Sequence, residues 1–227
     1  MTHDHHETHA RELVPFADRD AAGDALAHVL SERPELTAGD PVVVALPRGG
    51  VPVAARIARS IDAPLDVIIV RKLGAPGHPE LAMGALGEGG TRVLEHDVLH
   101  AWHVTDEQLA AVEAREQAEL ARRAERLRAG RTRVSLQDRP VIVVDDGVAT
   151  GSTARAAMRV ARAAGATSVV LAVPVAPATT VAELAQVAHA VVCVAMPSPF
   201  AAIGQWYRDF SPTTDDEVVR ILDEFRR

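Results

Sequence analysis

The sequence predicts an α/β protein built around a doubly wound, mainly parallel sheet of five strands. From residue 41 onward, short apolar runs alternate with segments of helical periodicity. The runs are continuously apolar, as expected for parallel strands that are buried on both faces. A chain of 227 residues has the size of one such domain. We therefore expect a single domain over residues 18–227.

The predicted elements follow each other in the order that such a sheet requires. The first is an amphipathic helix over residues 18–30, capped near Asp18. The segment 81–95 is typical of a hairpin that turns at residues 88–90. The other predicted elements are strands at 41–46, 65–70, 141–146, 167–175 and 190–196, and helices at 51–61, from 152 onward, and at 179–188.

Residues 106–133 are predicted to form a long, highly charged helix with sparse apolar positions. Its last part, RRAERLRAGRTR, is strongly basic. A solvated helix end that complements its own dipole is the favoured interpretation. A rim that attracts phosphate, or a surface for a homodimer, are the alternatives. The four apolar positions are Leu109, Val112, Leu120 and Leu127.

Residues 1–17 are expected to be a disordered, histidine-rich tail. The segment carries four histidines before the first periodic element, His3, His5, His6 and His9. Such a tract can bind a transition metal weakly, but a polar terminal tail is the simpler interpretation.

Charge and cysteine content exclude several classes of protein. A net charge of −7 argues against a nucleic-acid binder or a protein of anionic membranes, because both need a basic face. The single cysteine, Cys193, lies in an apolar run and is expected to be a core residue. No apolar run has transmembrane length and no signal peptide precedes the domain, so a cytoplasmic location is expected.

The most informative stretch is VIVVDDGVATGST, residues 141–153. Asp145 and Asp146 end a buried strand, at the edge where open α/β sheets bind ligands. Because they are adjacent, their side chains point in different directions, and one can face a ligand while the other turns aside. Both are candidate catalytic residues and candidate ligands of Mg²⁺.

The loop that follows the two acids is a candidate phosphate site. Gly147 and Gly151 allow a tight turn, and the free N–H groups at the start of the next helix bind anions. A plain strand-to-helix turn with capping residues explains the turn, but it does not explain two consecutive acids followed by ATGST. The predicted phosphate-binding residues are Val148, Ala149, Thr150, Gly151, Ser152 and Thr153.

A second candidate anion site follows the first strand, in LPRGGVP. Gly49 and Gly50 would let backbone N–H groups approach an anion closely, and the next helix would add its positive end. A pyrophosphate would fit there, with Arg48 as the charged residue. On its own, the motif is explained equally well by a Pro-Gly turn.

Arg71 and Lys72 come directly after a predicted buried strand. A forked guanidinium beside a point charge suits a diphosphate, which makes both residues catalytic candidates. Solvated charges at a strand end are the alternative. The following segment GAPGHPE, with His78 and Glu80, has the composition of a mobile loop.

The stretch 141–153 resembles the signature of type I phosphoribosyltransferases, which bind phosphoribosyl pyrophosphate (PRPP). Gly147 departs from the pattern, because many members carry an aliphatic residue there. The resemblance implies that the loop with Arg48 binds pyrophosphate and that the segment near residues 74–80 closes over the leaving group. The long helix at 106–133 is where the resemblance is weakest, since the family core does not require it.

Four of the seven aromatic residues lie in one irregular segment, residues 196–219, within the region 196–227 near the C-terminus. The resemblance implies that this region forms a small hood over an acceptor base. Trp206 and Tyr207 are the candidates for stacking on that acceptor. The alternative is a small satellite core that packs the C-terminal helix, capped at Thr214, onto the sheet.

The resemblance implies an enzyme that transfers the phosphoribosyl group of PRPP to an unidentified, nucleobase-like acceptor, with Mg²⁺ as cofactor. Pyrophosphate would leave through an oxocarbenium-like transition state, which the protein stabilises by positioning and charge neutralisation. A regulatory protein that senses PRPP without catalysis is the alternative. A PRPP-making kinase is a third hypothesis, although the chain lacks a GxxxxGK[ST] motif.

Overall fold

The computed structural model describes residues 15–226 and shows the predicted alternation of strands and helices. The strands are β1 (Val42–Ala45), β2 (Leu65–Val67), β3 (Val70–Ala75), β4 (His78–Gly87), β5 (Arg92–Leu94), β6 (Pro140–Val144), β7 (Ser168–Val175) and β8 (Ala190–Ala195). The helices are α1 (Arg19–Ser31), α2 (Gly50–Ser60), α3 (His96–Ala101), α4 (Asp106–Arg128), α5 (Ser152–Ala163), α6 (Ala178–Ala185) and α7 (Asp215–Asp223).

The main sheet has five parallel strands in the order β2-β1-β6-β7-β8. From β1 the chain moves to β2 on one side, and from β6 it moves to β7 and β8 on the other. The strand order therefore reverses between β1 and β6. In open α/β sheets a ligand crevice lies at this switch point, outside the carboxyl ends of the strands.

Both faces of this sheet are buried, which explains why its strands are continuously apolar. Successive side chains of β1 alternate between two core clusters: Val43 packs with α1 and α2, whereas Val44 packs with α5. β6 follows the same rule, with Ile142 on the first face and Val143 on the second. The doubly wound architecture is therefore confirmed.

A second, antiparallel sheet of three strands differs from the prediction at one point. The expected strand 65–70 ends at Val67, and β3 begins at Val70 as a strand of the small sheet. The predicted hairpin is present as β4 and β5, with its turn at Glu88–Gly90. Residues 74–80, expected to be a mobile loop, instead form the ends of β3 and β4 and the two-residue turn between them, and three of them, Gly74, Ala75 and His78, have partners in the strand register.

α4 begins with a capping box between Thr105 and Gln108 and buries the four apolar positions that the sequence indicated. Its basic end is solvated only in part, since Arg122 and Arg126 are exposed. Arg128 is 7% exposed and forms ion pairs with Asp66 on β2 and with Glu88 at the hairpin turn, both at 2.6 Å. Arg128 thus binds the end of α4 to both sheets.

The boundary of the expected tail also shifts. Phe16 pairs with Tyr207 in an isolated parallel bridge and donates its N–H to the carbonyl of Trp206 at 2.8 Å. Residues 15–17 therefore belong to the domain, whereas the four histidines of the tail lie outside the described residues. Between residues 15 and 226, no helix combines the length and the apolar character that crossing a bilayer requires.

Candidate active site

Two loops meet at the switch point of the main sheet, one after β1 and one after β6. Gly49 of the first loop lies so close to the second that a Cβ atom there would stand 1.9 Å from Asp146 Oδ2. A Cβ on Gly50 would stand 2.7 Å from the carbonyl oxygen of Val144. Both glycines are therefore required by the approach of the two loops. The N–H of Gly50 already donates to Leu46 O at 3.1 Å.

Asp146 is held by a residue that the sequence did not indicate. Arg19 in the first turn of α1 donates through Nε to Asp146 Oδ2 at 2.8 Å, and the two side chains are 11% and 12% exposed. Arg19 also donates to the carbonyl of Ser211 at 2.7 Å, and its guanidinium lies 4.1 Å from the centre of the Phe210 ring. No motif marks Arg19, because its partner is distant in the chain.

Asp145 has a different environment from its neighbour. Its Oδ1 accepts the N–H of Asp146 at 2.9 Å. Burial, and then the charge of Asp146, raise the pKa of Asp145 well above its usual range, while Arg19 opposes the shift. A carboxyl group with a raised pKa gains from a cationic ligand, because the ligand stabilises the charged form.

The loop after the two acids forms an open cradle for an anion. Among the described residues, none accepts a hydrogen bond from the backbone N–H groups of residues 149–153. These groups lead into the first turn of α5, where the helix dipole adds positive potential. Gly151 adopts the left-handed conformation that this turn needs, with φ of 74°. This arrangement suits a phosphate group.

The other residues of the loop are placed as follows. Val148 is buried and donates its N–H to Val175 O at 2.9 Å, so it supports the loop and its N–H is engaged. The carbonyl of Ala149 accepts from Thr180 Oγ1 at 2.7 Å. Gly147 lies where a Cβ would be 2.5 Å from Ile203 Cγ2, which explains a glycine at this position.

Arg71 and Lys72 lie within β3, not after a strand of the main sheet, and successive strand residues face opposite sides. Arg71 turns to α4 and pairs with Glu116 at 2.7 Å. Lys72 turns to α5 and donates through Nζ to Ser152 Oγ at 3.1 Å. The two side chains therefore contact different elements, although both line the same cavity of about 500 Å³. Lys72 lies beside the loop after β6, so the expectation that both charges serve one diphosphate stays a prediction.

Arginines of α4, which the sequence did not single out for the site, extend it beyond the loop with Arg48. Arg123 donates through Nη2 to the carbonyl of Pro47 at 2.9 Å. Arg48 lies 3.5 Å from Asp215 of α7, which also pairs with Arg126. A cavity of about 770 Å³ lies between these elements.

The aromatic segment is divided between two roles. Tyr207 is buried, packs against the rings of Phe16 and Phe210, and donates its hydroxyl to the carbonyl of Asp146 at 2.5 Å. Its expected role in stacking on an acceptor is therefore corrected, because the ring is committed to supporting the acid loop. Trp206 stacks on Phe200 with ring centres 6.4 Å apart.

Three neighbouring cavities next to these loops share lining residues. Arg71 and Arg123 line both the cavity of about 770 Å³ and a second one of about 500 Å³. Lys72 lines the second and a third of about 320 Å³, which Thr150 and Ser152 also border. Arginine and lysine side chains thus lie on the walls of the cavities beside both loops.

Comparisons with known proteins show which family this chain resembles. The model of the phosphoribosyl transferase domain matches residues 17–205. Proteins from two strains of Mycobacterium tuberculosis, provisionally named phosphoribosyl transferases, are 53% identical over 212 residues, which is 93% of this chain. The chain spans only 47% of the length of those relatives.

A solved protein from Thermus thermophilus is similar along almost the whole chain. It is 44% identical, has a TM-score of 0.86, and the match covers 94% of this chain and 100% of that one. This chain belongs to the phosphoribosyl transferase domain family.

Proposed function

We propose that this protein transfers the 5-phosphoribosyl group from PRPP to a small acceptor and releases pyrophosphate. The observation that carries the proposal is that the loops after β1 and β6 meet at the switch point, with an acid pair between them. One loop has open backbone donors that suit a 5-phosphate, and the other lies among arginines that suit a diphosphate. Arg71 and Lys72 both line a cavity of about 500 Å³ beside these loops.

The roles of the residues follow from their environments. The cradle at residues 149–153 and Lys72 would hold the 5-phosphate. Asp145, whose pKa is raised, would accept hydrogen bonds from the ribose hydroxyls, while Asp146 is engaged with Arg19. Arg48 and Arg71 would neutralise the pyrophosphate, whose charge grows as the anomeric bond breaks.

Magnesium belongs to this proposal. Residues 15–226 contain no cluster of three or more side chains placed to hold a metal ion. Mg²⁺ in phosphate-transferring sites commonly takes one or two carboxylates and completes its shell with substrate oxygens and water. Asp145 fits that donor set, whereas Asp146 would contribute only through Oδ1, because its Oδ2 already accepts from Arg19. Bound Mg²⁺ would neutralise part of the charge of PRPP.

The acceptor is proposed to be flat and nucleobase-like. Trp206 and Phe200 stack on each other in the segment that follows β8, and both pack against the small cluster that contains Tyr207. A planar ligand gains from stacking on such rings.

Two measurements test the proposal. Calorimetric titration with PRPP in the presence of Mg²⁺ should show binding, and pyrophosphate release should appear with at least one member of a panel of nucleobases. Ribose 5-phosphate without Mg²⁺ serves as the reference ligand for the cradle. Absence of PRPP binding would refute the proposal, and binding without turnover on every acceptor would favour the regulatory alternative.

A further inference from the structure

Three arginines from three separate elements surround the loop that follows β1. Arg48 belongs to the loop itself, Arg71 to β3 and Arg123 to α4, and all three line the cavity of about 770 Å³. Placing guanidinium groups together in a cleft costs free energy unless anions compensate them. The distribution of counter-charges therefore indicates where a bound anion is needed.

Two of these three arginines have a carboxylate partner. Arg71 pairs with Glu116 at 2.7 Å, and Arg48 lies 3.5 Å from Asp215. In the part of the chain that the structure describes, Arg123 has no carboxylate within 4.0 Å. Its hydrogen bond is to the neutral carbonyl of Pro47 at 2.9 Å. Arg123 thus has no directly paired carboxylate, although three carboxylate residues also line the cavity, namely Glu119, Glu125 and Asp215.

The electrostatics of Arg123 agree with this geometry. Partial burial, and then the charges of Arg71 and Arg48, lower the pKa of Arg123, and only Asp215 opposes the shift. An arginine nevertheless remains protonated at neutral pH. The bond to Pro47 uses one of its five N–H donors, which leaves a forked set for an anion.

The backbone of the loop offers less to an anion than its glycines suggest. The N–H of Gly50 donates to Leu46 O, and the N–H of Val51 donates to Arg48 O, both at 3.1 Å. A diphosphate at this loop must therefore gain much of its stabilisation from side chains. Arginine suits that task, because its planar fork matches two phosphate oxygens at once.

We propose that Arg123 is a further substrate-binding residue, which holds the diphosphate of PRPP from the α4 side while it fixes the Pro47 carbonyl. This inference rests on the proposed function, and it assigns a binding role to a helix that the family core does not require. The C-terminal end of α4, just after Arg123, is held in place by the ion pairs of Arg128 with Asp66 and Glu88. The inference therefore gives the basic face of α4 a ligand of defined chemistry.

The test compares Arg123→Ala, Arg123→Lys and Arg122→Ala by calorimetry with Mg²⁺ and inorganic pyrophosphate, and separately with ribose 5-phosphate. Arg122 is the matched comparison, since it directly precedes Arg123 on the same helix and lines the same cavity, but it already pairs with Glu119. We expect Arg123→Ala to weaken pyrophosphate binding by about 10- to 100-fold, the loss expected for a charged hydrogen bond. The affinity of Arg123→Lys for pyrophosphate should lie between those of Arg123→Ala and wild type. Arg122→Ala should lose less than about 3-fold in pyrophosphate affinity. All variants should bind ribose 5-phosphate with the affinity of wild type.

Three outcomes would overturn the inference. They are an unchanged affinity of Arg123→Ala for pyrophosphate, an equal loss for pyrophosphate and ribose 5-phosphate, and an equal loss in the Arg122 and Arg123 variants. The second would mean that Arg123 supports the whole site, and the third would mean that only the general field of the helix matters. If wild type bound pyrophosphate through Arg123 but did not bind PRPP, the proposed function would fail and the diphosphate site would stand.

Discussion

Arg19 Nε lies 2.8 Å from Asp146 Oδ2, although 127 residues separate them in the chain. This ion pair ties the first turn of α1 to the loop after β6. It also gives the two neighbouring acids different environments, because Asp146 has a guanidinium partner and Asp145 has a strongly raised pKa. The candidate site thus combines one carboxylate that is anchored with one that favours a cationic ligand.

Replacing Arg19 should destabilise the protein. Arg19→Met keeps the apolar stem but leaves the buried Asp146 without its partner, which costs about 3 kcal/mol of unfolding free energy. Arg56→Met is the control, because its pair with Asp24 is solvent-exposed and such pairs contribute about 1 kcal/mol or less. Urea denaturation of both variants measures the difference, and equal losses would show that the Arg19 pair contributes no more than a surface pair.

Asp145→Asn should stabilise the free protein above the raised pKa while weakening ligand binding. The folded state holds the Asp145 proton more tightly than the unfolded state, so the stability of wild type should fall as pH rises from the ordinary pKa of an aspartate through the raised one. The Asn variant lacks this dependence. Unfolding curves between about pH 4 and 8 should therefore diverge, with the variant more stable at the upper end.

The same variant should bind PRPP with Mg²⁺ about 10- to 100-fold more weakly, because a charged acceptor is lost. Asp146→Asn provides the contrast, since it should lose stability through the broken pair with Arg19. A steeper fall of stability with pH in Asp145→Asn than in wild type would contradict the assignment of the raised pKa.

Gly49→Ala should disrupt the acid loop, because its Cβ would stand 1.9 Å from Asp146 Oδ2. We expect a loss of about 1–3 kcal/mol in stability together with weaker PRPP binding. The double variant Gly49→Ala/Asp146→Ala removes the atoms that clash. Its loss of stability, measured by denaturant unfolding, should be smaller than the sum of the two single losses, and simple additivity would argue against the contact.

Arg71 and Lys72 should be separable by ligand. Lys72→Gln should weaken binding of both ribose 5-phosphate and PRPP, because Nζ lies 3.1 Å from Ser152 Oγ in the phosphate cradle. Arg71→Gln should weaken only PRPP, since it faces α4 and the loop with Arg48. Each loss should be about tenfold. Calorimetry with both ligands measures these losses of affinity. Equal losses for the two ligands in both variants would show that Arg71 and Lys72 do not contact different parts of PRPP.

Tyr207 and Trp206 should also differ. Tyr207→Phe removes the bond to Asp146 O and should cost about 1 kcal/mol of stability, with no change in KM for the acceptor. Trp206→Ala should instead raise the KM for whichever acceptor proves active, because a stacking surface is lost. Measuring the KM for the acceptor in both variants tests this difference. A raised KM in Tyr207→Phe would show that Tyr207 contributes to acceptor binding.

Local pattern was sufficient to predict most elements of the fold. The run Val141–Val144 indicated a doubly buried strand, and β6 is that strand. Thr214 was expected to cap the last helix, and its hydroxyl accepts the N–H of Glu217. Such features depend on neighbours in the chain, and for that reason propensity and periodicity report them.

The small antiparallel sheet was harder to predict because its strands share composition with loops. The Gly- and Pro-rich segment 74–80 suggested a mobile loop, yet Ala75 pairs with His78 across a two-residue turn. Pairing between strands supplies stability that local propensity does not reveal. For the same reason, the break between Val67 and Val70 was not visible in one continuous apolar run.

The sequence by itself indicated the acid pair, the loop that follows it and most of the strands and helices, because each lies within a short segment. The order of the strands in the main sheet joins segments that are far apart in the chain, and it came from the tertiary structure. Tertiary structure alone decided the partners of the charged groups: Arg19 with Asp146, Arg128 with Asp66, and Arg123 with the Pro47 carbonyl. These contacts join residues between 62 and 127 positions apart. An isolated arginine in a helix has the same local signature whether it faces solvent or a ligand cleft, and only the packing of distant elements distinguishes the two.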